Sequence, residues 1–320
     1  MSGSDKFEPS TVINNDELIR IVLVGKTGAG KSSTGNTILR NQVFEADFSP
    51  ESLTTCCKKA IGEVDGEQVA VIDTPGLFDT RTDEETTIKD IIQCITYACP
   101  GPHVFLVIVQ LGKFTDEEKQ TIQKIQKIFG ADADKYSLVL FTHGDQLKGK
   151  TIEKFLSKSS VLQELVAKCH GQYHVFNNEK EDPSQVTELL KKIRNMNERN
   201  GGSYYTNEKF QKAERAIEEE KQRILREKEE QRRQEEEKIR RETEIKYEQR
   251  LREVKGDREK KRQLMEEQHN EIATRMENLW KILNHQARLK AENSGVVTEV
   301  LIGVFGLIAV ISSLFLKFKM

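Results

Sequence analysis

Eight consecutive residues of this chain have the types and spacing that bind phosphate. Residues 25–32 read Gly-Lys-Thr-Gly-Ala-Gly-Lys-Ser, which is the G-x-x-x-x-G-K-S pattern of a P-loop. Glycines there let backbone N–H groups turn towards phosphate oxygens. Lys31 is expected to reach the β- and γ-phosphates, and the Ser32 hydroxyl is expected to bind Mg²⁺. We predict nucleotide contacts from the whole loop and the residue after it: Gly25, Lys26, Thr27, Gly28, Ala29, Gly30, Lys31, Ser32 and Ser33.

A second group of residues has the chemistry to hold the metal ion and sense the γ-phosphate. Asp73-Thr-Pro-Gly76 follows the apolar run 68–72, and an acidic residue at the end of such a strand supplies the Walker-B carboxylate to Mg²⁺. Gly76 is expected to place its N–H against the γ-phosphate. An ordinary D-x-P-G turn is the alternative. Thr54 or Thr55 closes over Mg²⁺, and Thr54 is favoured.

Base recognition is predicted at the ends of two later strands. The run 136–141 leads into Thr142-His-Gly-Asp145, where GTPases carry N-K-x-D. Asp145 can accept both the ring N–H and the exocyclic amine of guanine, which adenine does not offer, and His143 is a further nucleotide contact. Asn177 and Asn178 end the last strand and are predicted to close over the base, although asparagines there are equally typical of a plain turn.

These residues require strands and helices that bring them to one edge of a sheet. Strand-like and helix-like segments alternate from Leu18 to Arg199, which predicts an α/β domain with a mostly parallel sheet and helices on both faces. Residues 60–64 and 68–72 flank Asp65-Gly66, a signal for an antiparallel edge hairpin. The expected fold is that of a P-loop GTPase domain.

Residues 207–293 cannot form a globular core, because more than half of them are charged. Residues 207–293 contain 24 Lys or Arg and 22 Asp or Glu, and no proline. This pattern predicts a long solvated helix, or a helical hairpin turning near Gly256, supported by pairs such as Glu219–Arg223 and Glu248–Arg252. A continuous coiled coil is disfavoured because residues 226–238 contain no apolar residue, and a coiled coil needs apolar residues at regular heptad positions. The balanced charge excludes a nucleic-acid surface.

The C-terminal segment is apolar. Residues 300–316 form 17 positions without a charge, close to the length that spans a bilayer. We predict a transmembrane tail anchor at 296–316, a short tail at 317–320 and a GTPase domain facing the cytosol; a buried helix of the soluble fold is the alternative. The predicted division of the chain is a disordered tail at 1–16, the GTPase domain at 17–205, the charged helical extension at 206–293, and then this anchor.

The five cysteines have no C-x-x-C spacing, so neither a zinc site nor a disulfide framework is indicated.

Together these motifs resemble the immunity-associated GTPase family, the GIMAP or IMAP GTPases, which are related to septins and to chloroplast import GTPases. The matching stretches are residues 21–32, 73–80, 99–113, 141–145 and 176–178. The stretch 99–113 is the family's own box and is more specific than the P-loop. The resemblance implies GTP and GDP binding, Mg²⁺, and dimers or oligomers formed across the nucleotide face in the GTP state.

Hydrolysis is the open part of this prediction. The resemblance implies that some members hydrolyse GTP with an arginine of the family box supplied across the dimer, where this chain has Lys113. Lysine carries the charge without the planar fork. Leu77 stands where Ras-type enzymes place the glutamine that orients water, so a single subunit is expected to hydrolyse GTP slowly. Lys113 and Thr54 are the catalytic candidates.

Two functions of different classes follow. One is a GTP/GDP switch with slow hydrolysis on the cytoplasmic face of an intracellular membrane, such as endoplasmic reticulum, outer mitochondrial membrane, lysosome or lipid droplet. The other is a membrane scaffold that holds nucleotide for assembly and hydrolyses almost none. An ATPase is a third alternative, and it requires Asp145 to have no role in recognising the base.

Overall fold

The computed structural model describes residues 18–46, 56–75, 84–112, 116–254 and 256–305. Some predictions lie outside these described residues and remain predictions. They concern the N-terminal tail at 1–16, Thr54 and Thr55, Gly76 and Leu77, Lys113, and residues 306–320.

One six-stranded sheet organises the first two thirds of the described chain. Its strands are β1 Ile19–Gly25, β2 Lys58–Val64, β3 Glu67–Asp73, β4 Val104–Gln110, β5 Ser137–Thr142 and β6 Tyr173–Val175. They lie in the order β2-β3-β1-β4-β5-β6. Every neighbouring pair is parallel except β2 and β3, which are antiparallel around the Asp65-Gly66 turn. The predicted mostly parallel sheet with an antiparallel edge strand is confirmed, and this is the P-loop GTPase fold.

Helices connect and cover these strands. Those before the charged region are α1 Lys31–Leu39, α2 Glu84–Ala98, α3 Asp116–Phe129, α4 Ile152–Leu156, α5 Ser160–Lys168 and α6 Pro183–Arg199. Successive residues of a strand point to opposite faces of the sheet. Nearly all residues of the central strands β1 and β4 are buried, so both faces of the sheet are covered there. Residues such as Ile21 and Leu106 join α1 and α6 in one core cluster. Phe105, one position along β4, contacts Phe129 of α3 with ring centroids 4.7 Å apart.

The charged region forms three helices: α7 Glu208–Glu227, α8 Glu229–Glu253 and α9 Arg258–Glu292. Between α8 and α9 the chain reverses at Gly256, whose φ is +88°, and the two helices pair antiparallel. Ion pairs connect them, with Lys246 Nζ 2.7 Å from a Glu271 oxygen and an Arg275 nitrogen 2.7 Å from a Glu242 oxygen. Of the two arrangements left open by the sequence, the hairpin is therefore the one that forms.

Ion pairs within these helices follow the predicted chemistry but not always the predicted partners. Arg252 bonds Glu248 at 2.6 Å, as predicted. Arg223 instead bonds Glu220 and Glu227, because its guanidinium can reach carboxylates three residues before it and four after it.

The packing of the described residues divides them into two compact units, one formed by those within 18–215 together with 298–305, the other by those within 216–297. Within the first unit, packing continues past residue 205, where the sequence placed the domain boundary. Phe210 and Ala213 at the start of α7 are fully buried, and Phe210 stacks on Phe129 at 6.4 Å.

The described start of the apolar C-terminal segment is helix α10, Gly295–Phe305. Val297 and Leu301 are buried on it, whereas Val296, Val300 and Ile302 are exposed. Among the helices of the described residues, none combines the length and the apolar character needed to cross a bilayer.

Candidate nucleotide-binding site

The phosphate loop joins the central strand β1 to α1. A Cβ on Gly25 would lie 2.6 Å from the carbonyl oxygen of Ile108 on β4, so only glycine allows the two strands to approach here. Gly30 precedes α1 with a φ of +93°, which turns the chain into the helix. The helix start, with its N–H groups and positive dipole end, therefore lies at the carboxyl edge of the sheet.

Lys31 is the first residue of α1, and its ammonium is folded back over the loop. Nζ lies 3.1 Å from the carbonyl oxygens of both Gly25 and Lys26, and the side chain is buried. The cation therefore lies inside the phosphate loop, where it can bind the phosphates of a nucleotide that enters the loop.

Ser32 and Asp73, the two described metal candidates, meet directly. The Ser32 hydroxyl donates to Asp73 Oδ2 at 2.6 Å. Thr74 fixes the end of β3 by donating its hydroxyl to the Leu23 carbonyl oxygen at 2.6 Å. A hydroxyl and a carboxylate oxygen are hard ligands of the kind Mg²⁺ prefers, so the pair fits the predicted ion.

The predicted base-recognition loop follows β5 at the same edge. Gly144 N donates to the Phe176 carbonyl oxygen at 2.9 Å, and a Cβ on Gly144 would lie 2.9 Å from a Val175 methyl carbon. His143 has a left-handed backbone, with φ +59°. Asp145 follows in a short helix with its carboxylate exposed. The close fit between the β5 and β6 loops leaves Asp145 facing solvent, where a ligand can reach it.

Sequence reasoning missed the hydrogen bonds that tie these loops to the phosphate loop. Thr142 donates its hydroxyl to the Ala29 carbonyl oxygen at 2.9 Å. Asn178 bonds the hydroxyls of Thr37 and Thr34 on α1, at 2.9 Å and 3.3 Å. The placement of two threonines three residues apart on α1 is the only signal in the sequence that could have suggested the second contact.

Asn177 has a local role. Its Oδ1 accepts from the Glu179 backbone N–H at 3.0 Å, the geometry of an Asx turn. Its own N–H and carbonyl oxygen both bond the Gln185 amide. In this structure Asn177 therefore shapes the loop beside the base site.

The family box divides between the two edges of the sheet. Its first residues lie at the opposite, amino edge, where buried Arg20 donates Nε to the Gly101 carbonyl oxygen at 2.6 Å and stacks 4.7 Å over the Tyr204 ring. His103 Nδ1 accepts from the Arg20 backbone N–H at 3.0 Å. Burial, together with the Arg20 charge, lowers the pKa of His103 to about 3. The start of the box is thus a structural cluster.

The end of the family box lies at the carboxyl edge of the sheet, beside the candidate nucleotide site. Leu111 follows β4 and donates its N–H to the Thr142 carbonyl oxygen at 3.2 Å, beside the base loop. Gly112 is the last residue described there, and Lys113 lies outside the described residues, as do Thr54 and Gly76.

A family model shows to which protein family the chain is related. The model of the AIG1 family matches residues 19–225, more than half of the chain. The chain belongs to the AIG1 family. This confirms the resemblance that the motifs indicated, and the matched region contains the AIG1 domain with every described residue of the site above.

Curated relatives of the AIG1 domain occur in animals and plants. The chain is 35% identical over 193 residues to GTPase IMAP family member 8 of Homo sapiens, covering 59% of this chain and 29% of that protein. It is 36% identical over 208 residues to Immune-associated nucleotide-binding protein 5 of Arabidopsis thaliana, covering 62% and 66%. The chain thus spans between about a third and two thirds of the length of these relatives.

Among solved structures, the AIG1 domain is similar to Toc33 from Arabidopsis thaliana in complex with GDP and Mg²⁺. The identity is 21% and the TM-score 0.46, over 60% of this chain and 88% of that one.

Proposed function

We propose that this protein binds GTP and GDP with Mg²⁺ and acts as a nucleotide-dependent switch. The observation that carries the proposal is the convergence at one sheet edge of Lys31, the Ser32–Asp73 pair and Asp145. The chain's membership of the AIG1 family supports it, as do relatives named as GTPases and nucleotide-binding proteins.

The phosphate end of the nucleotide is held by the loop and α1. Lys31 turns from the carbonyl oxygens of Gly25 and Lys26 to phosphate oxygens, which is favourable because the ammonium then meets opposite charges and not only carbonyl dipoles. Ser32 and Asp73 would hold Mg²⁺, with Thr54 as the proposed third ligand. When bound, the ion neutralises phosphate charge.

Asp145 gives the site its preference for guanine. Its exposed carboxylate accepts from the ring N–H and the exocyclic amine, whereas adenine presents an acceptor at the first of these positions. His143 and Asn177 are the proposed further contacts, on the two loops that the Gly144–Phe176 hydrogen bond joins.

Hydrolysis is proposed to be slow in a single subunit. Leu77 has no group to orient a water molecule, and Lys113 replaces the arginine that some members supply across a dimer. We therefore propose a homodimer or oligomer formed across the nucleotide face as the state that accelerates turnover. A membrane scaffold that holds GTP and hydrolyses almost none is the second candidate, and the same two residues favour it.

Competition for a fluorescent GTP analogue tests the nucleotide assignment. GTP and GDP should displace the analogue in the presence of Mg²⁺, and ATP should do so at least about a hundredfold less well, because adenine presents an acceptor to the Asp145 carboxylate where guanine presents a donor. Asp145→Ala should remove most of this preference. Equal displacement by ATP and GTP would show that the site does not recognise guanine.

We also propose that residues 296–316 anchor the protein to an intracellular membrane, with the AIG1 domain on the cytoplasmic side. The support is the uncharged run 300–316 followed by Lys317 and Lys319. A chain lacking residues 296–320 should move from the membrane pellet to the supernatant. If the truncated chain pellets as the full chain does, the anchor is wrong.

A further inference from the structure

Both polar atoms of the Asn178 side chain bond the phosphate-binding helix α1. Its Oδ1 lies 2.9 Å from the Thr37 hydroxyl, and its Nδ2 lies 3.3 Å from the Thr34 hydroxyl. A hydroxyl both donates and accepts, so the two threonines satisfy the amide in either of its orientations. Both polar atoms of the side chain are therefore committed to α1.

Releasing Asn178 from α1 would be unfavourable. Thr34 is completely buried. If the Asn178 amide turned towards a base, the Thr34 hydroxyl would be left inside the protein without this contact, and a buried polar group that loses its hydrogen bond is destabilising. The amide is thus expected to stay on α1 when nucleotide binds.

The contact belongs to a closed series of hydrogen bonds around the site. Thr142 joins the β5 loop to Ala29 of the phosphate loop, and Gly144 joins the same β5 loop to Phe176 at the end of β6. Asn178, two residues later, returns the β6 loop to α1. A Cβ on Gly30 would lie 3.4 Å from Thr142 Cγ2 and 3.6 Å from Asn178 Nδ2, so these elements meet at the end of the phosphate loop.

We propose that Asn178 is a positioning residue, which fixes the distance between the base loops and the phosphate-binding helix and does not itself contact the base. The proposal rests on the proposed nucleotide site. A nucleotide has a set span from base to phosphates, and a site held at that span binds it without first having to order two loops.

Substitution of Asn178 by alanine tests this role. Asn178→Ala should weaken GTP and GDP binding equally, by roughly fivefold to tenfold, since it removes two hydrogen bonds that order the site. The ratio of GTP to ATP affinity should stay at the wild-type value. A fall in that ratio, as expected for Asp145→Ala, would show that Asn178 contacts the base and would overturn the proposal.

Thr37→Val is a second test of the Asn178–Thr37 contact, and it remains informative if Asn178→Ala does not fold stably. It should weaken the binding of both nucleotides in the same way, and the double variant should bind little more weakly than Asn178→Ala, because the Asn178–Thr37 bond is already absent from that variant. Fully additive losses would mean that the two residues act independently, contrary to the proposal. Affinities are measured well below the melting temperature, so lower stability alone leaves them unchanged.

Asn200→Ala is the matched control. Asn200 Nδ2 bonds the Lys135 carbonyl oxygen at 2.7 Å and so connects two loops of the same unit, with no role in the nucleotide site. Its loss should leave nucleotide affinity unchanged. An equal loss of affinity in this variant would show that any weakened loop contact has this effect, and the specific role of Asn178 would be rejected.

The failure of this inference can be distinguished from failure of the proposed function. If the wild-type chain binds no guanine nucleotide, the function is wrong. The Asn178–Thr37 coupling is also measured in the nucleotide-free protein, by thermal unfolding of the two single variants and the double variant. If no coupling appears there, the contact is not formed in solution and the inference is wrong.

Discussion

Thr142 occupies the position at which GTPases commonly have asparagine. Its hydroxyl donates to the Ala29 carbonyl oxygen, so the shorter side chain joins the base loop to the phosphate loop. A valine of the same shape could not make this bond. The departure from N-K-x-D that weakens the sequence motif is therefore compatible with an ordered loop that presents Asp145.

His103 predicts how stability depends on pH. Its pKa of about 3 in the folded protein lies below the value of 6.5 for an exposed histidine, because the ring is buried beside Arg20. Between these values the unfolded chain binds the additional proton, so this contribution to stability is complete above pH 6.5 and decreases as the pH falls towards 3. The loss should be about 2 kcal/mol at pH 5.

Urea unfolding at pH 7.5 and pH 5 measures this loss. His103→Asn keeps an oxygen that can accept from the Arg20 N–H but has no titrating ring, so the variant should lose about 2 kcal/mol less than the wild type over this interval. His174 and the carboxyl groups remain in both proteins and cancel in the comparison. Identical pH dependence of the two proteins would contradict the assignment.

The cysteines predict a simple pattern of reactivity. Cys56 is exposed, whereas Cys57, Cys94, Cys99 and Cys169 are buried. Burial raises the pKa of the Cys57 thiol, with a further contribution from Cys94, and burial also raises the pKa of Cys169. Few thiolates are available at Cys57 and Cys169.

A thiol reagent such as Ellman's reagent should therefore label one cysteine in the native protein and all five in denaturant. Cys56→Ser should remove the native reaction and leave four in denaturant. Rapid native labelling of more than one thiol would show that a buried position opens.

At the scale of elements, the start of the family box determines how α7 joins the AIG1 domain. Tyr205 donates its N–H to the Pro102 carbonyl oxygen at 2.8 Å and its hydroxyl to the Phe129 carbonyl oxygen at 2.8 Å. Cys99 and Phe210 meet in the same cluster, with Sγ 3.7 Å from the Phe210 carbonyl oxygen. The segment after α6 is thus a packed part of the domain and not a free linker.

Gly101 tests this packing. A Cβ at this position would lie 1.8 Å from the Tyr205 carbonyl oxygen, so Gly101→Ala forces the two backbone segments apart. We expect a loss of about 2–3 kcal/mol and a melting temperature lower by roughly 5–10 °C. Gly295→Ala, where the added Cβ meets nothing within 4 Å, is the matched control and should melt near the wild-type temperature. Equal melting of all three proteins would contradict the close contact.

The helical hairpin of α8 and α9 shows a different kind of stabilisation. Ion pairs such as Lys246–Glu271 and Arg250–Glu267 join its two helices, and Tyr247 and Leu264 are among the few buried apolar side chains on it. Exposed ion pairs contribute little individually and are weakened by salt. The hairpin is therefore expected to be the more salt-sensitive part of the described chain.

At the scale of the whole molecule, turnover should depend on assembly. GTP hydrolysis per subunit should be slow at low protein concentration and rise with concentration if a dimer completes the site. Lys113→Arg should raise the rate of the assembled protein by roughly tenfold or more, because arginine adds a planar fork to the same charge. Lys113→Ala is the paired variant, and it should not gain activity on assembly.

A single-turnover assay over a hundredfold range of protein concentration makes this measurement. A rate that is fast and the same at every concentration would exclude activation by assembly. Undetectable hydrolysis in both the wild type and Lys113→Arg would favour the scaffold.

The sequence by itself determined the fold and the chemistry of the phosphate end. Buried apolar runs, the G-x-x-x-x-G-K-S loop and Asp73 define that region because local pattern specifies strand, loop and helix directly. The antiparallel edge hairpin also followed from a local turn signal at Asp65-Gly66.

Only the tertiary structure decided which distant residues share a contact. The Asn178 bond to Thr37 spans 141 positions, and the Arg20 bond to Gly101 spans 81. No periodicity predicts such pairs, since they depend on the order of strands in the sheet. The same holds for the hairpin: a chain of alternating charges is compatible with one long helix or two, and only the cross-helix pairs, such as Lys246–Glu271, distinguish them.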